Sequence, residues 1–101
     1  MKICNEMLKL RRWLDKNHIQ WVDASDVYED FVHDLSGYRM NFTIYRTHFE
    51  YKSETVSVSY GMYTYGAEDG LLEMWLENSW DSPAGYMTAK EVIEELKAIK
   101  K

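Results

Sequence analysis

The stretch MNFTIYRTHFEYKSETVSVSY, residues 40–60, decides the fold of this 101-residue chain. Apolar and polar residues alternate on both sides of a polar break formed by Lys52, Ser53 and Glu54. Such alternation is typical of two half-buried strands joined by a turn. The buried face of the second strand is expected to carry Val56, Val58 and Tyr60, and the wetter face Thr55, Ser57 and Ser59. We therefore predict an antiparallel hairpin at the centre of a small sheet.

The two ends of the chain are predicted to be helical. Apolar residues recur at helical spacing over residues 3–17, which indicates an amphipathic helix. A short strand is predicted next, over residues 19–22, from the alternation of its side chains. The last helix begins at Thr88, because Glu91 three residues later completes a capping box.

Two further helices are predicted inside the chain. Ser25 or Asp23 would cap the first, which ends before Gly37, and Asp69 would cap the second. Their apolar stripes would be Val27, Tyr28, Phe31, Val32 and Leu35 in the first, and Leu71, Leu72, Trp75 and Leu76 in the second. A loop is expected over residues 79–85. The predicted fold is a single α+β domain over residues 1–101, with a small antiparallel sheet of three to four strands and the N-terminal and C-terminal helices packed on one face.

Composition restricts the partners and the compartment. A net charge of -5 and a pI near 5.1 disfavour duplex DNA, which is held by a basic face. Cys4 is the single cysteine, so an internal disulfide is excluded and a reducing compartment is favoured. The start of the chain lacks the apolar run of a signal peptide, and no run is long enough for a membrane span. We therefore expect a cytoplasmic protein, in the host cell cytosol, with no membrane contact.

Acidic residues are concentrated in two blocks. Residues 23–34 and residues 68–81 each contain five Asp or Glu and no Lys or Arg, whereas residues 2–18 contain five Lys or Arg against two acids. These blocks are consistent with solvated faces that keep the protein soluble. They are also consistent with a mimic of nucleic acid, or with a docking face for a basic partner.

The sequence contains no complete catalytic or metal motif. The residues most able to bind zinc are scattered without ligand spacing: His18, His33, His48 and Cys4. The glycines fit neither of the phosphate-binding loop patterns. We predict no metal, no cofactor and no enzymatic activity. A weaker alternative is a small hydrolase with His48 as base and Glu73 or Asp69 near it.

A ligand site is predicted where the hairpin meets the loop that follows it. Arg46 and His48 point to the same side of their strand, and Arg46 offers a fork of donors to phosphate. Aromatic rings would stack on the base of a nucleotide. The predicted ligand-binding residues are Arg46, His48, Tyr60, Gly61, Tyr63, Tyr65, Gly66 and Trp80. The alternative interpretation is that Arg46 and His48 are the solvent side of a sheet whose core the tyrosines cap.

Five segments of the chain resemble segments of a known class of small proteins. These are LRRWLDKNHIQW (residues 10–21), RTHF (46–49), YGMYTYG (60–66), GLLEMW (70–75) and GYMTAKEV (85–92). They resemble small uncharacterised accessory proteins encoded in phages and prophages of gut bacteria. The resemblance implies an anti-defence role and transfers no catalytic residue.

Two functions from different classes follow. The first is a non-enzymatic sponge, either monomeric or a homo-oligomer, that sequesters a nucleotide-type immune signal in an aromatic and basic pocket. The second is an acidic protein-binding inhibitor that mimics nucleic acid and blocks a host defence nuclease such as a CRISPR effector.

Overall fold

The computed structural model describes residues 2–31 and 39–100. In chain order the elements are α1 (Asn5–Lys16), β1 (Trp21–Asp23), β2 (Asp26–Phe31), β3 (Arg39–Tyr51), β4 (Glu54–Gly61), a 3-10 helix (Ala67–Asp69), β5 (Leu72–Leu76), β6 (Ala84–Met87) and α2 (Ala89–Ala98). The predicted α+β class is confirmed. Within the described residues the antiparallel sheet has six strands, where three or four were expected.

The sheet is organised around β3. The strand order is β1-β3-β4-β5-β6, and β2 also pairs with β3. The predicted hairpin is confirmed as β3 and β4, whose ends Tyr51 and Glu54 lie opposite each other. Lys52 and Ser53 between them have φ angles of 48° and 65°, as a two-residue hairpin loop requires.

β1 and β2 are two parts of one edge strand, because both pair with β3 in the same unshifted register. Between them, the Ala24 N–H still donates to the Arg46 carbonyl oxygen at 2.9 Å. The Arg46 N–H instead donates to the Ser25 hydroxyl at 3.0 Å. A side-chain oxygen thus satisfies a backbone amide at the interruption.

The first part of β3 extends beyond the rest of the sheet. β4 pairs only with residues 44–51 of β3, whereas β2 pairs with residues 39–44. β2 and the start of β3 therefore form a two-stranded ribbon, which we call the β-ribbon. This extension accounts for the elongated shape, 52 × 27 × 22 Å.

Both helices pack on one face of the sheet, here called the helix face. The buried apolar core combines Met7, Leu10 and Leu14 of α1, Ala89, Val92 and Leu96 of α2, and Phe49, Val56, Val58, Tyr60, Leu72, Met74, Leu76 and Met87 of the strands. Thr47, also fully buried on β3, donates its hydroxyl to the Met7 sulfur at 3.1 Å. Each fully buried leucine contributes about 1.5–3 kcal/mol, so this face holds most of the stability. The opposite face is called the open face.

The helix starts are tied to each other. α2 begins at the predicted capping box, in which Thr88 and Glu91 each accept the other's backbone N–H. The Glu6 carboxylate of α1 accepts the Ala89 N–H at 2.8 Å. This bond is the main reason why the pKa of Glu6 is lowered.

The predicted helix between Asp23 and Gly37 is wrong where it can be examined. Residues 26–31 form β2, paired along their length with β3, and residues 32–38 lie outside the described residues. Tyr28 and Phe31 fit a helical stripe in the sequence, but the backbone of residues 26–31 pairs as an edge strand. Pairing with β3 satisfies backbone groups that an isolated short helix would leave to water.

The predicted helix after Asp69 is also wrong. Residues 72–76 form β5, in which Leu72, Met74 and Leu76 are buried and alternate with Glu73 and Trp75. Asp69, the predicted cap, is instead the last residue of the 3-10 helix Ala67–Asp69, and Gly70 follows it with a left-handed backbone. Part of the predicted loop over residues 79–85 is likewise strand, because β6 begins at Ala84.

Candidate binding surfaces

Arg46 and His48 lie side by side on the open face, as their spacing predicted. Arg46 Nε donates to the Ser59 hydroxyl at 3.1 Å. His48 Nε2 lies 3.3 Å from a carboxylate oxygen of Glu77. Both side chains are therefore already engaged with neighbours on the same face.

The cleft beside Arg46 is acidic overall. It has a volume of about 280 Å³ and is lined by Arg46, Ser57, Ser59, Glu73, Trp75, Glu77 and Pro83. Ser57 and Ser59, expected on a wetter face, are each only 6% exposed, since they lie opposite Trp75 and Glu73 in the β4–β5 ladder. Two carboxylates against one guanidinium disfavour a phosphate group in this cleft.

Tyr60 is separated from Arg46 by the sheet itself. It lies next to Ser59 on β4 and therefore points to the helix face, where it is 8% exposed. Its ring stacks on that of Tyr45 with centroids 6.5 Å apart. Burial raises the pKa of Tyr60, and the ring serves the core rather than an open pocket.

The loop after β4 forms a pocket of its own. Tyr63, Tyr65 and Gly66 line a pocket of about 480 Å³ together with Met62, Thr64, Ala67, Glu68, Asp69 and Tyr86. We call this the tyrosine pocket. Its three tyrosines are 60–72% exposed. Tyr86 was not among the predicted site residues. It lies on β6 and lines the pocket through a tertiary contact, which no local sequence pattern predicts.

Two of these tyrosines have left-handed backbone conformations. Tyr63 has a φ angle of 73° and Tyr86 one of 59°. This region is unfavourable for bulky side chains and is tolerated far better by Asn or Gly. Strained residues of this kind concentrate at functional sites.

Close packing fixes the loop against β6. The Tyr86 N–H donates to the Tyr65 carbonyl at 3.2 Å, and the Tyr65 N–H donates to Glu73 at 2.9 Å. A Cβ atom on Gly85 would lie 2.1 Å from the Cβ atom of Tyr65. The pocket is therefore held by backbone contacts and does not depend on a ligand to assemble.

The two predicted loop glycines have different roles. Gly66 has a φ angle of 99°, so its left-handed conformation suits glycine. Gly61 lacks a positive φ, but a Cβ atom there would lie 2.7 Å from the Thr43 carbonyl oxygen. Gly61 thus allows β3 and β4 to approach where the β-ribbon leaves the sheet.

A row of aromatic contacts connects the tyrosine pocket to the β-ribbon. Tyr28 stacks on Phe42 at a centroid distance of 5.6 Å, and Phe42 meets Tyr63 edge-on at 5.5 Å. The aromatic–acidic surface, as we call it, consists of Tyr28, Phe42, Tyr63, Tyr65, Tyr86, Glu68 and Asp69. It runs from the β-ribbon to the tyrosine pocket.

Two acids of the first acidic block accept hydrogen bonds from backbone amides at the edge of the sheet. The Ser25 and Val27 amides point away from β3, because amide direction alternates along a strand. The Ser25 N–H donates to Asp23 at 3.0 Å, and the Val27 N–H donates to Asp26 at 2.9 Å. Asp23 also accepts the Ser25 hydroxyl, the main reason why its pKa is lowered. These carboxylates protect the edge from pairing with another chain.

The exposed tryptophan is Trp75 rather than Trp80. Trp80 is partly buried against the core, and its carbonyl oxygen accepts the Trp75 indole N–H at 2.9 Å. Trp75 is 38% exposed on the open face. Trp80, predicted to bind ligand, is therefore the less accessible of the two, and Trp75, predicted to lie in the apolar stripe of a helix, is the more accessible.

The described residues offer little for catalysis. His48 faces Glu77 rather than Glu73 or Asp69. Burial raises the pKa of the Cys4 thiol, which disfavours the nucleophilic thiolate. Within residues 2–31 and 39–100, no group of three His, Cys, Asp or Glu side chains is placed to hold a metal ion.

Comparisons with protein-family models, curated proteins and solved structures find no match to this chain. In the part of the chain that the structure describes, neither helix is long and apolar enough to cross a membrane.

Proposed function

We propose that this protein is a non-enzymatic binding protein that docks on a basic surface of a partner protein. The observation that carries the proposal is the aromatic–acidic surface. In it the exposed rings of Tyr63, Tyr65 and Tyr86 adjoin Glu68 and Asp69, and Phe42 connects Tyr63 to Tyr28. Contiguous exposed apolar surface rimmed by polar groups marks interaction sites. Tyrosines supply large contact area there with few rotamers to order.

Charge selects the class of partner. The chain has a net charge of -5, and the pocket end of the surface presents carboxylates. A basic protein surface, such as a nucleic-acid channel, is complementary to it. In the phage context that the sequence resemblance implies, the partner would be a host defence nuclease in the cytosol, and the bound protein would occupy the place of nucleic acid.

Sequestration of a nucleotide-type signal is the second proposal from the sequence. It would need a phosphate at Arg46, where Glu73 and Glu77 line the same cleft, and a stacking ring on that face. Trp75 offers such a ring at 38% exposure. The acidic balance of the cleft makes this proposal the weaker of the two.

The docking proposal is tested with the purified protein and its Glu68→Gln/Asp69→Asn variant. The protein is incubated with a purified CRISPR nuclease, and binding is measured by interferometry with and without guide and target nucleic acid. We expect binding that nucleic acid competes away and that the variant weakens about tenfold or more. The matched control is Glu94→Gln/Glu95→Gln on α2, which removes the same charge from an exposed helix surface.

Absence of binding, or binding that nucleic acid leaves unchanged, would count against docking on this partner. Equal weakening by the two variants would count against docking through the aromatic–acidic surface. Release of a nucleotide on heating of protein purified from defence-activated cells, identified by mass spectrometry, would support sequestration instead. In that case Arg46→Gln should abolish the release.

A further inference from the structure

The tyrosine pocket has the composition of a cation site. Tyr63, Tyr65 and Tyr86 supply aromatic faces, and Glu68 and Asp69 supply negative charge. Among the described residues that line the pocket, none is Lys or Arg. A cation is attracted to the negative face of an aromatic ring and to a carboxylate alike, whereas an anion would find no positively charged side chain in the lining.

We propose that this pocket receives the guanidinium group of an arginine side chain on the partner, an inference that rests on the proposed function. Guanidinium is planar, so it stacks on a tyrosine ring while its edge donates to a carboxylate. It is also more weakly hydrated than an ammonium group, which lowers the cost of leaving water. A pocket of about 480 Å³ is large enough for one such side chain.

The pocket is built before the ligand arrives. The Tyr86 N–H holds the Tyr65 carbonyl, and Gly85 brings β6 against Tyr65. Preorganisation of this kind reduces the ordering cost of binding. Tyr63 and Tyr86 keep exposed rings on left-handed backbone, where Asn would suit the conformation better. Both rings are largely exposed, so they are accessible to a ligand rather than packed in the core.

The first experiment titrates the whole protein with N-acetyl-arginine amide and follows the tyrosine ring signals by NMR. We expect saturable shifts of Tyr63, Tyr65 and Tyr86. N-acetyl-citrulline amide, the neutral analogue of the same shape, should produce none. N-acetyl-lysine amide should bind about threefold more weakly or worse, because it lacks the planar fork. Equal binding of arginine and citrulline amides, or of arginine and lysine amides, would overturn the guanidinium assignment.

The second experiment separates binding from folding with Tyr86→Asn. Asn accepts the left-handed backbone, so the midpoint of urea unfolding should stay unchanged or rise, while arginine amide binding falls at least about tenfold. Ser53→Asn is the matched control, because it relieves the same strain in the distant β3–β4 turn and should leave binding unchanged. A fall in unfolding midpoint for Tyr86→Asn would show that its ring serves folding and would overturn the inference.

The pocket inference and the proposed function fail in different ways. If the nuclease binds and Tyr28→Ala weakens binding, but arginine amide shifts no ring signal, the docking surface stands and the arginine site does not. If arginine amide binds but the nuclease does not, the site stands and the proposed partner is wrong.

Discussion

At the scale of single residues, the Glu6 carboxylate connects the start of α1 to the start of α2. It accepts the Ala89 N–H at 2.8 Å and pairs with Lys9 at 3.1 Å. An acid at a helix N-terminus also interacts favourably with the helix dipole. One side chain thereby satisfies an amide that the helix itself cannot use.

The lowered pKa of Glu6 gives a pH-dependent contribution to stability. The unfolded chain takes up the proton near the ordinary glutamate value, about 4.3, whereas the folded chain takes it up only at lower pH. The contribution is therefore complete above about pH 4.3 and is lost as the pH falls through the folded-state pKa. Glu6→Gln, which keeps an acceptor oxygen but not the charge, should lose about 0.3–1 kcal/mol at pH 7.

The measurement is urea unfolding of wild type and Glu6→Gln at pH 7 and at pH 3. The difference in free energy of unfolding should be larger at pH 7 than at pH 3, because pH 3 lies below the unfolded-state pKa. A difference that does not change with pH would show that the charge of Glu6 is irrelevant. Glu91→Gln, in the capping box of α2, is a useful second variant for comparison.

Strained backbone separates into two kinds of position. Lys52 and Ser53 have positive φ angles because a two-residue hairpin loop demands them, and His18 has one directly after α1. Turn geometry explains these three. Tyr63 also lies in a turn, closed by the Thr64 N–H and the Gly61 carbonyl oxygen at 2.9 Å, and Tyr86 lies where the register between β5 and β6 shifts. What distinguishes these two residues is the large exposed ring that each places beside the pocket.

At the scale of elements, the acids of the edge strand control self-association. Asp26 accepts the outward Val27 N–H at 2.9 Å, and Val27 is 64% exposed beside it. Asp26→Val should free that amide, remove a charge and lengthen the apolar edge, all of which favour edge-to-edge pairing. We expect the variant to form dimers or larger species as its concentration rises, measured by sedimentation equilibrium.

Asp26→Asn is the control for this effect, because its side-chain oxygen can still accept the Val27 N–H. It should remain closer to the wild-type state of association than Asp26→Val does. Identical sedimentation of Asp26→Val and wild type would mean that the carboxylate does not protect this edge.

Two internal elements were mispredicted because a spacing of four residues fits both periods. Leu72 and Leu76 lie on one face of a helix, but they also lie on one face of a strand. The residue midway between them distinguishes the two structures, because residues two apart share a face in a strand but not in a helix. Met74 is buried with Leu72 and Leu76, as a strand requires. Neither local propensity nor capping revealed that long-range pairing with β4 would decide the outcome.

The terminal helices and the central hairpin were predicted because their signals are local. The capping box at Thr88 and the alternation along β3 and β4 depend only on neighbours in sequence. The candidate site was predicted only in part. Alternation predicted that Arg46 and His48 share a face and that Tyr60 lies with Val56 and Val58. Tyr60 was nevertheless predicted to bind ligand beside Arg46, which lies on the opposite face of the sheet. Tyr86 joins Tyr65 through tertiary contact, for which the sequence has no local signal.

At the scale of the whole molecule, net charge and shape should govern how the protein meets its partner. The chain carries a net charge of -5 and extends over 52 Å along its longest axis. Long-range attraction to a basic surface accelerates association, and salt screens it with a Debye length of about 8 Å at physiological ionic strength. Association should therefore slow as salt is added, while dissociation changes less.

The effect of a charge on binding should depend on its position as well as on the net charge, and this locates the docking surface on the molecule. Glu68→Gln/Asp69→Asn and Glu94→Gln/Glu95→Gln change the net charge equally, so both should reduce the association rate somewhat at low salt. Only the first pair lines the tyrosine pocket, so only it should also speed dissociation, by about tenfold if these carboxylates accept bonds from an arginine. The measurement is stopped-flow or interferometry rates at 50 and 500 mM salt. The Debye length is about 10 Å shorter at the higher concentration, so long-range attraction is more strongly screened there. Equal dissociation rates for the two variants would place the docking surface elsewhere on the molecule.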